Sequence, residues 1–182
     1  GSAAPPPGHE FFSDGKIRTF KIDIAETALA TLKKSERSYV AATLTVDGQV
    51  FKDVGVHLKG MGSFQSLNQK PSFVVKFDKY TPDQCYLGLS KIMLNNSVQD
   101  GSYLAELMAT QMFRDAGVPA ARVTHAFVEQ NGRQLGLYVL IEAMNKDFLK
   151  QHFKSAKGNL YEAYLQDIDQ QLDIDGGTDT TQ

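Results

Sequence analysis

The residue pattern of this 182-residue chain predicts an α+β fold, a mainly antiparallel β-sheet with one major helix. Three observations carry that expectation. Short runs alternate apolar and polar residues, as in RTFKIDI, where Phe20, Ile22 and Ile24 share one face. Asp47-Gly48 and Asn131-Gly132 each stand between two such runs and are strong hairpin signals. Residues 100–115 form the longest stretch that keeps helical spacing.

In order along the chain, Arg18–Ile24 reads as a strand and Glu26–Lys34 as a short helix with an acidic start and a basic end. Residues 39–46 and 50–58 read as a hairpin, and 71–77 as a strand with Phe73, Val75 and Phe77 on one face and Val74 and Lys76 on the other. Residues 91–96 give a further strand. The major helix, with Asp100 or Ser102 as N-cap, has one stripe of Leu104, Leu107, Met108, Gln111 and Met112. Glu106, Ala109 and Phe113 make a second stripe, so the helix is expected to be covered on both sides. Gly117 and Pro119 end it. Residues 122–129 and 133–143 form the second hairpin, 146–153 a short helix and 158–164 a last strand.

Composition narrows the function. A hydrophobic share of 42% supports one real core, and a net charge of −2 gives no general attraction to nucleic acid or a membrane surface. No apolar run reaches bilayer-spanning length and no export leader is read. Cys85 is the lone cysteine, which excludes an internal disulfide and thiolate zinc sites, and it reads as a packing residue. The histidines, His9, His57, His125 and His152, lack metal-ligand spacing. Residues 1–10 read as a cleavage remnant followed by a Pro-rich linker, and 165–182 as an acidic mobile tail or the start of a further lobe. Within that tail Asp167, Asp169, Asp173 and Asp175 do not follow EF-hand spacing. No G-x-S-x-G occurs, and Gly60-Met61-Gly62 lacks the third glycine of a dinucleotide fingerprint.

One constellation points to phosphate chemistry. A polar, glycine-bearing loop, Lys59-Gly60-Met61-Gly62-Ser63, precedes a strand carrying Lys76, and a helix carrying Glu106 follows. A strand lysine held by a helix glutamate, beside a loop that offers backbone N–H groups, is how protein kinases hold polyphosphate. The same residues also fit a solvated strand lysine and an ordinary helix-surface glutamate. Lys59 and His57, two residues apart on one strand face, are further phosphate contacts to test.

The ordered series VGVHLKGMGSF, KPSFVVKFDKY, LGLSKIMLNNSVQD, FRDAGVPAARV, NGRQLGLYVLIEAMNKDFL and GNLYEAY resembles the spore coat protein H (CotH) kinase family over residues 11–164. The resemblance implies an atypical protein-kinase N-lobe, and in the whole family transfer of phosphate from ATP, with Mg²⁺ or Mn²⁺, to Ser/Thr of a protein substrate. It places the protein in a bacterial spore coat or another extracellular, cell-surface or periplasmic setting. It makes Lys76 the phosphate-contacting lysine and Glu106 its partner, and it matches Lys59, Gly60 and Ser63 to the phosphate-side loop. Glu142 falls where a hinge meets the adenine edge. Two positions depart from the family pattern: Ala105 replaces an arginine, and KGMGS replaces a KGNSS-like loop. The catalytic and metal-binding aspartates are expected from a second lobe beyond GNLY, so no catalytic or metal residue is assigned here and the chain alone is expected to be inactive. The alternative is a non-catalytic surface module that keeps the fold for protein contact.

Overall fold

The computed structural model describes residues 5–157; the expected strand at 158–164 and the acidic residues that follow lie outside them. The chain divides into two compact units, Gly1–Ala143 and Met144–Gln182. In the first, α1 is His9–Ser13, β1 Arg18–Ile24, α2 Glu26–Lys34, β2 Val40–Val46, β3 Gln49–Lys59, β4 Ser72–Lys76, β5 Lys91–Asn95, α3 Ala105–Asp115, β6 Val123–Gln130 and β7 Arg133–Glu142. In the second, α4 is Lys146–His152, capped by Asn145, whose side chain accepts from the amides of Asp147 and Phe148.

The expected α+β kinase-like sheet with one major helix is not what forms. The seven strands close into a mixed barrel in the order β1-β2-β3-β4-β5-β7-β6, and the helices are short. The closing pair is parallel, with Arg18 opposite Ala126 and Ile22 opposite Gln130. Asn131, at the second hairpin turn, locks it: its side chain accepts from the Ile24 amide at 3.1 Å and donates to the Ile24 carbonyl at 2.7 Å. Closure leaves no unpaired edge and lets the apolar strand faces cover one another. Phe20, Ile22, Leu44, Val56, Leu58, Phe73, Val75, Ile92, Leu94 and Tyr138 fill the interior.

One mouth of the barrel is stopped by α1, whose buried Phe11 packs edge-on against Phe20 and Tyr86. Arg18 lies over the Phe11 ring, donates twice to Asp14 and once to Asp47, and Tyr86 donates to the same Asp47 oxygen at 2.6 Å.

The expectation that the 100–115 helix is covered on two sides is also corrected. α3 begins at Ala105, has no buried residue, and leaves Leu104, Met108, Met112 and Phe113 exposed. Only Leu107, with Tyr103, packs onto the outer patch of Ala121, Val123, Val139 and Ile141. The helix starts late because Tyr103 adopts φ 61°, outside the helical region. Asp100 still serves that end, accepting the Ala105 amide at 2.9 Å.

Candidate functional site

Alternation fixes which side chains leave the barrel. With Val54, Val56 and Leu58 inward, β3 turns Gly55, His57 and Lys59 outward; β4 turns out Ser72, Val74 and Lys76; β5 turns out Lys91, Met93 and Asn95. Register aligns them in rows. Lys59, Ser72 and Asn95 form one end row, and Gly55, Lys76 and Lys91 the other. Over these rows the face carries three lysines and no carboxylate of its own strands.

Among the described residues, the Glu106 carboxylate of α3 reaches it. Asn95 Nδ2 donates to Glu106 Oε2 at 2.9 Å, and Asn95 Oδ1 accepts from the Lys59 ammonium. The structure therefore brings Lys59 and Glu106 together through a carboxamide. Among the described residues no ion pair joins Lys76 to Glu106. Lys76 stands opposite Lys91, at the far end of β5 from Asn95, about 13 Å along the strand at the usual rise per residue. Sequence reasoning missed Asn95. In SKIMLNN it reads as an ordinary outward polar residue, and its register with Lys59 belongs to pairing that a sequence does not display.

The loop between β3 and β4 is held by its carbonyls. Asn96, buried beside Asn95, donates to Ser63 O at 3.1 Å and Lys70 O at 2.8 Å, and its amide donates to Ser72 Oγ at 2.9 Å. Arg37 donates to Leu58 O at 3.2 Å and to Gly60 O, while Arg133 takes the carbonyls of Leu67, Asn68 and Gln69. Gly60 has φ 105°, and a Cβ there would lie 3.0 Å from Ser63 Oγ and 3.1 Å from the Phe64 amide nitrogen, so the turn needs glycine. The Lys70 ammonium bonds Tyr103 Oη and Leu137 O and sits over the rings of Tyr103 and Tyr138, joining the loop to β7 and the α3 approach.

His57 is on the same face but buried, its ring edge-on to Tyr39, with Nδ1 donating to Leu58 O at 2.8 Å. Burial pushes its pKa down, and the Lys91, Arg37 and Lys59 charges add to that. Glu142 sits elsewhere, at the end of β7, 2% exposed and bound by Arg122.

A model of the family described as CotH kinase protein matches residues 56–182, more than half of the chain. The chain belongs to the CotH kinase family. The match includes β4, β5, β6, β7, α3 and the end of β3, so every residue of the lysine face from Val56 onward lies inside it. Comparison with curated proteins gave no match.

Proposed function

We propose that the barrel is the nucleotide-binding part of a CotH-family kinase and holds the phosphates of ATP on the outer face of β3, β4 and β5. The observation that carries the reading is the lysine face: Lys59 lies next to the clamped Gly60–Ser63 turn, and Lys76 stands on the same face at the far end of β4, opposite the buried Lys91. Side chains of one sign on one face concentrate a counter-charged ligand, and ammonium groups bind phosphate as point charges.

Bound there, ATP would supply the phosphoryl group for a protein Ser/Thr. This chain's own residues would orient the triphosphate and offset its charge. Among the described residues no group of three His, Cys, Asp or Glu side chains could hold a metal ion. We assign the barrel binding, with Mg²⁺ or Mn²⁺ arriving as the nucleotide complex.

Isothermal titration with Mg-ATP tests this: binding by the 182-residue chain, lost in Lys76→Ala, is expected, and absence of heat together with an unmoved melting temperature refutes it. A second reading has its own observation. The exposed Met108, Met112 and Phe113 on α3, with Leu104 at its N-cap, suit a surface module that docks protein. That reading expects no nucleotide effect on melting and a partner whose capture is lost in Met108→Glu.

A further inference from the structure

We propose that Asn131 is a site of spontaneous covalent modification, deamidation to aspartate or isoaspartate, which closure of the barrel holds in check. Neither product can close the barrel as asparagine does, so the change marks a chain whose β1–β6 pair has opened. The inference stands whether or not nucleotide binds.

The turn has the parts that the reaction needs. Asn131-Gly132 is the one Asn-Gly step in the sequence. A bond forms between Gly132 N and Asn131 Cγ, and the Cγ–Nδ2 bond breaks. The side-chain nitrogen leaves as ammonia, taking the Gly132 amide proton. Water then opens the cyclic imide at either carbonyl, giving aspartate or, with the main chain rerouted through Cγ, isoaspartate. Water is the co-reactant, and nothing is oxidised or reduced. A side chain on the attacking residue would hinder it; Gly132 has none, and the space where a Cβ would stand is open. Both residues are exposed.

The folded turn withholds one part. Asn131 and Gly132 have φ 48° and 78°, as this two-residue hairpin turn requires. The carboxamide is turned across the closing pair, where it accepts from the Ile24 amide and donates to the Ile24 carbonyl. The Asn131 amide also donates to Ile22 O at 3.0 Å. While these bonds stand, Cγ does not swing onto Gly132 N.

The first hairpin shows why asparagine is needed here. Asp47 has a similar conformation, φ 50° before Gly48 at 74°, but serves as an acceptor, for Arg18 and Tyr86. Ile24 presents a donor and an acceptor together, and a carboxamide answers both where an ionised carboxylate only accepts. The group that closes the barrel is thus the group that deamidates. Conversion removes the donor to Ile24 O and sets a carboxylate oxygen against that carbonyl. Isoaspartate also lengthens the main chain between Gln130 and Arg133, which pair across the turn.

The test compares the 182-residue chain with a synthetic peptide of residues 123–133 in the same mildly alkaline buffer. Trypsin releases that peptide from the chain after Arg122 and Arg133, and mass spectrometry reads the replacement of NH2 by OH at Asn131. Deamidation in the folded chain is expected to be at least about tenfold slower than in the peptide, the scale of the hydrogen bonds lost on opening. Ile24→Ala keeps both backbone partners but removes a buried side chain at the closing pair, and should deamidate faster than wild type. Asn131→Asp, which carries the product side chain, should melt about 5 °C lower. Equal rates in chain and peptide, a peptide that stays intact, an Ile24→Ala rate no higher than wild type, or an unshifted melt for Asn131→Asp each overturns the inference.

Discussion

Arg122 grips Glu142 with two parallel bonds, Nη2 to Oε1 at 2.5 Å and Nε to Oε2 at 2.8 Å. The Arg122 amide adds a third contact to Oε2 at 3.1 Å, and Glu142 returns its own amide to Arg122 O. The same guanidinium donates to Pro7 O at 2.6 Å and lies over the Phe12 ring, so the pair also ties the N-terminal segment to the barrel. A glutamate placed by resemblance at the edge of an adenine is here a clasp between β7 and the approach to β6.

That clasp predicts an asymmetric mutational response. Glu142→Ala leaves a guanidinium only 16% exposed without its counter-charge. Removing one partner of such a pair costs about 3 kcal/mol or more, roughly a 10 °C drop in melting temperature for a domain of this size. Arg122→Met/Glu142→Leu together are expected to cost less than the two single losses added. Thermal melts of the three variants check it, and additive losses would show that the pair acts as two independent contacts.

At the stopped mouth of the barrel the prediction concerns acid. The Arg18 hydrogen bonds hold Asp14 down to about 2, and the Tyr86 hydroxyl, then Arg18, lower Asp47. A carboxylate depressed in the folded state adds stability that is complete above its unfolded value near 3.8 and is lost as pH falls through the folded value. Wild type should therefore lose urea resistance between about pH 4 and pH 2. Tyr86→Phe should show a smaller loss, because its Asp47 has less depression to give up. Equal slopes for the two proteins would dismiss the network as a source of acid sensitivity.

How much of this was legible in the sequence follows from what alternation encodes. It reports which side of a strand is apolar, and that is the same whether the apolar side meets a helix or the opposite wall of a barrel. So Arg18–Ile24, the Asp47-Gly48 and Asn131-Gly132 turns and the outward Lys76 were readable, and closure was not. Closure depends on β1 meeting β6 in parallel and on Asn131 reaching Ile24, contacts more than a hundred residues apart. The helix was misjudged for a related reason. Apolar residues at helical spacing read as buried, yet Met108 and Met112 face outward and the barrel needs only Leu107 and Tyr103 from that segment. At the candidate site the loop and Glu106 were visible as residue types, while Asn95 acquires meaning only from the β3–β4–β5 register.

The corrected helix makes its own prediction. Met108 and Met112 are 58% and 69% exposed, so Met108→Lys and Met112→Gln should leave stability within about 0.5 kcal/mol of wild type. Leu107→Ala, which withdraws from the patch of Val123, Val139 and Ile141, should cost about 1–2 kcal/mol for a partly buried leucine. Urea midpoints distinguish these. A large loss at Met108 would mean that the exposed face is covered in solution.

His57 gives a test near neutral pH. It faces Tyr39 edge-on, is hemmed by the charges of Lys91, Arg37 and Lys59, and is buried; burial first and then those charges disfavour the imidazolium, while its Nδ1 contact with Leu58 O works the other way. Its folded pKa lies below the ordinary 6.5, so as pH falls the unfolded chain takes up the proton first. The stability from a neutral His57 is then complete above that value and declines as pH drops toward the folded one. His57→Phe keeps the ring contact with Tyr39 and cannot take up that proton. Wild type should therefore lose stability relative to the variant between about pH 7 and pH 5. Urea midpoints at the two pH values decide it: a constant gap between the proteins would mean that His57 takes its proton as readily folded as unfolded.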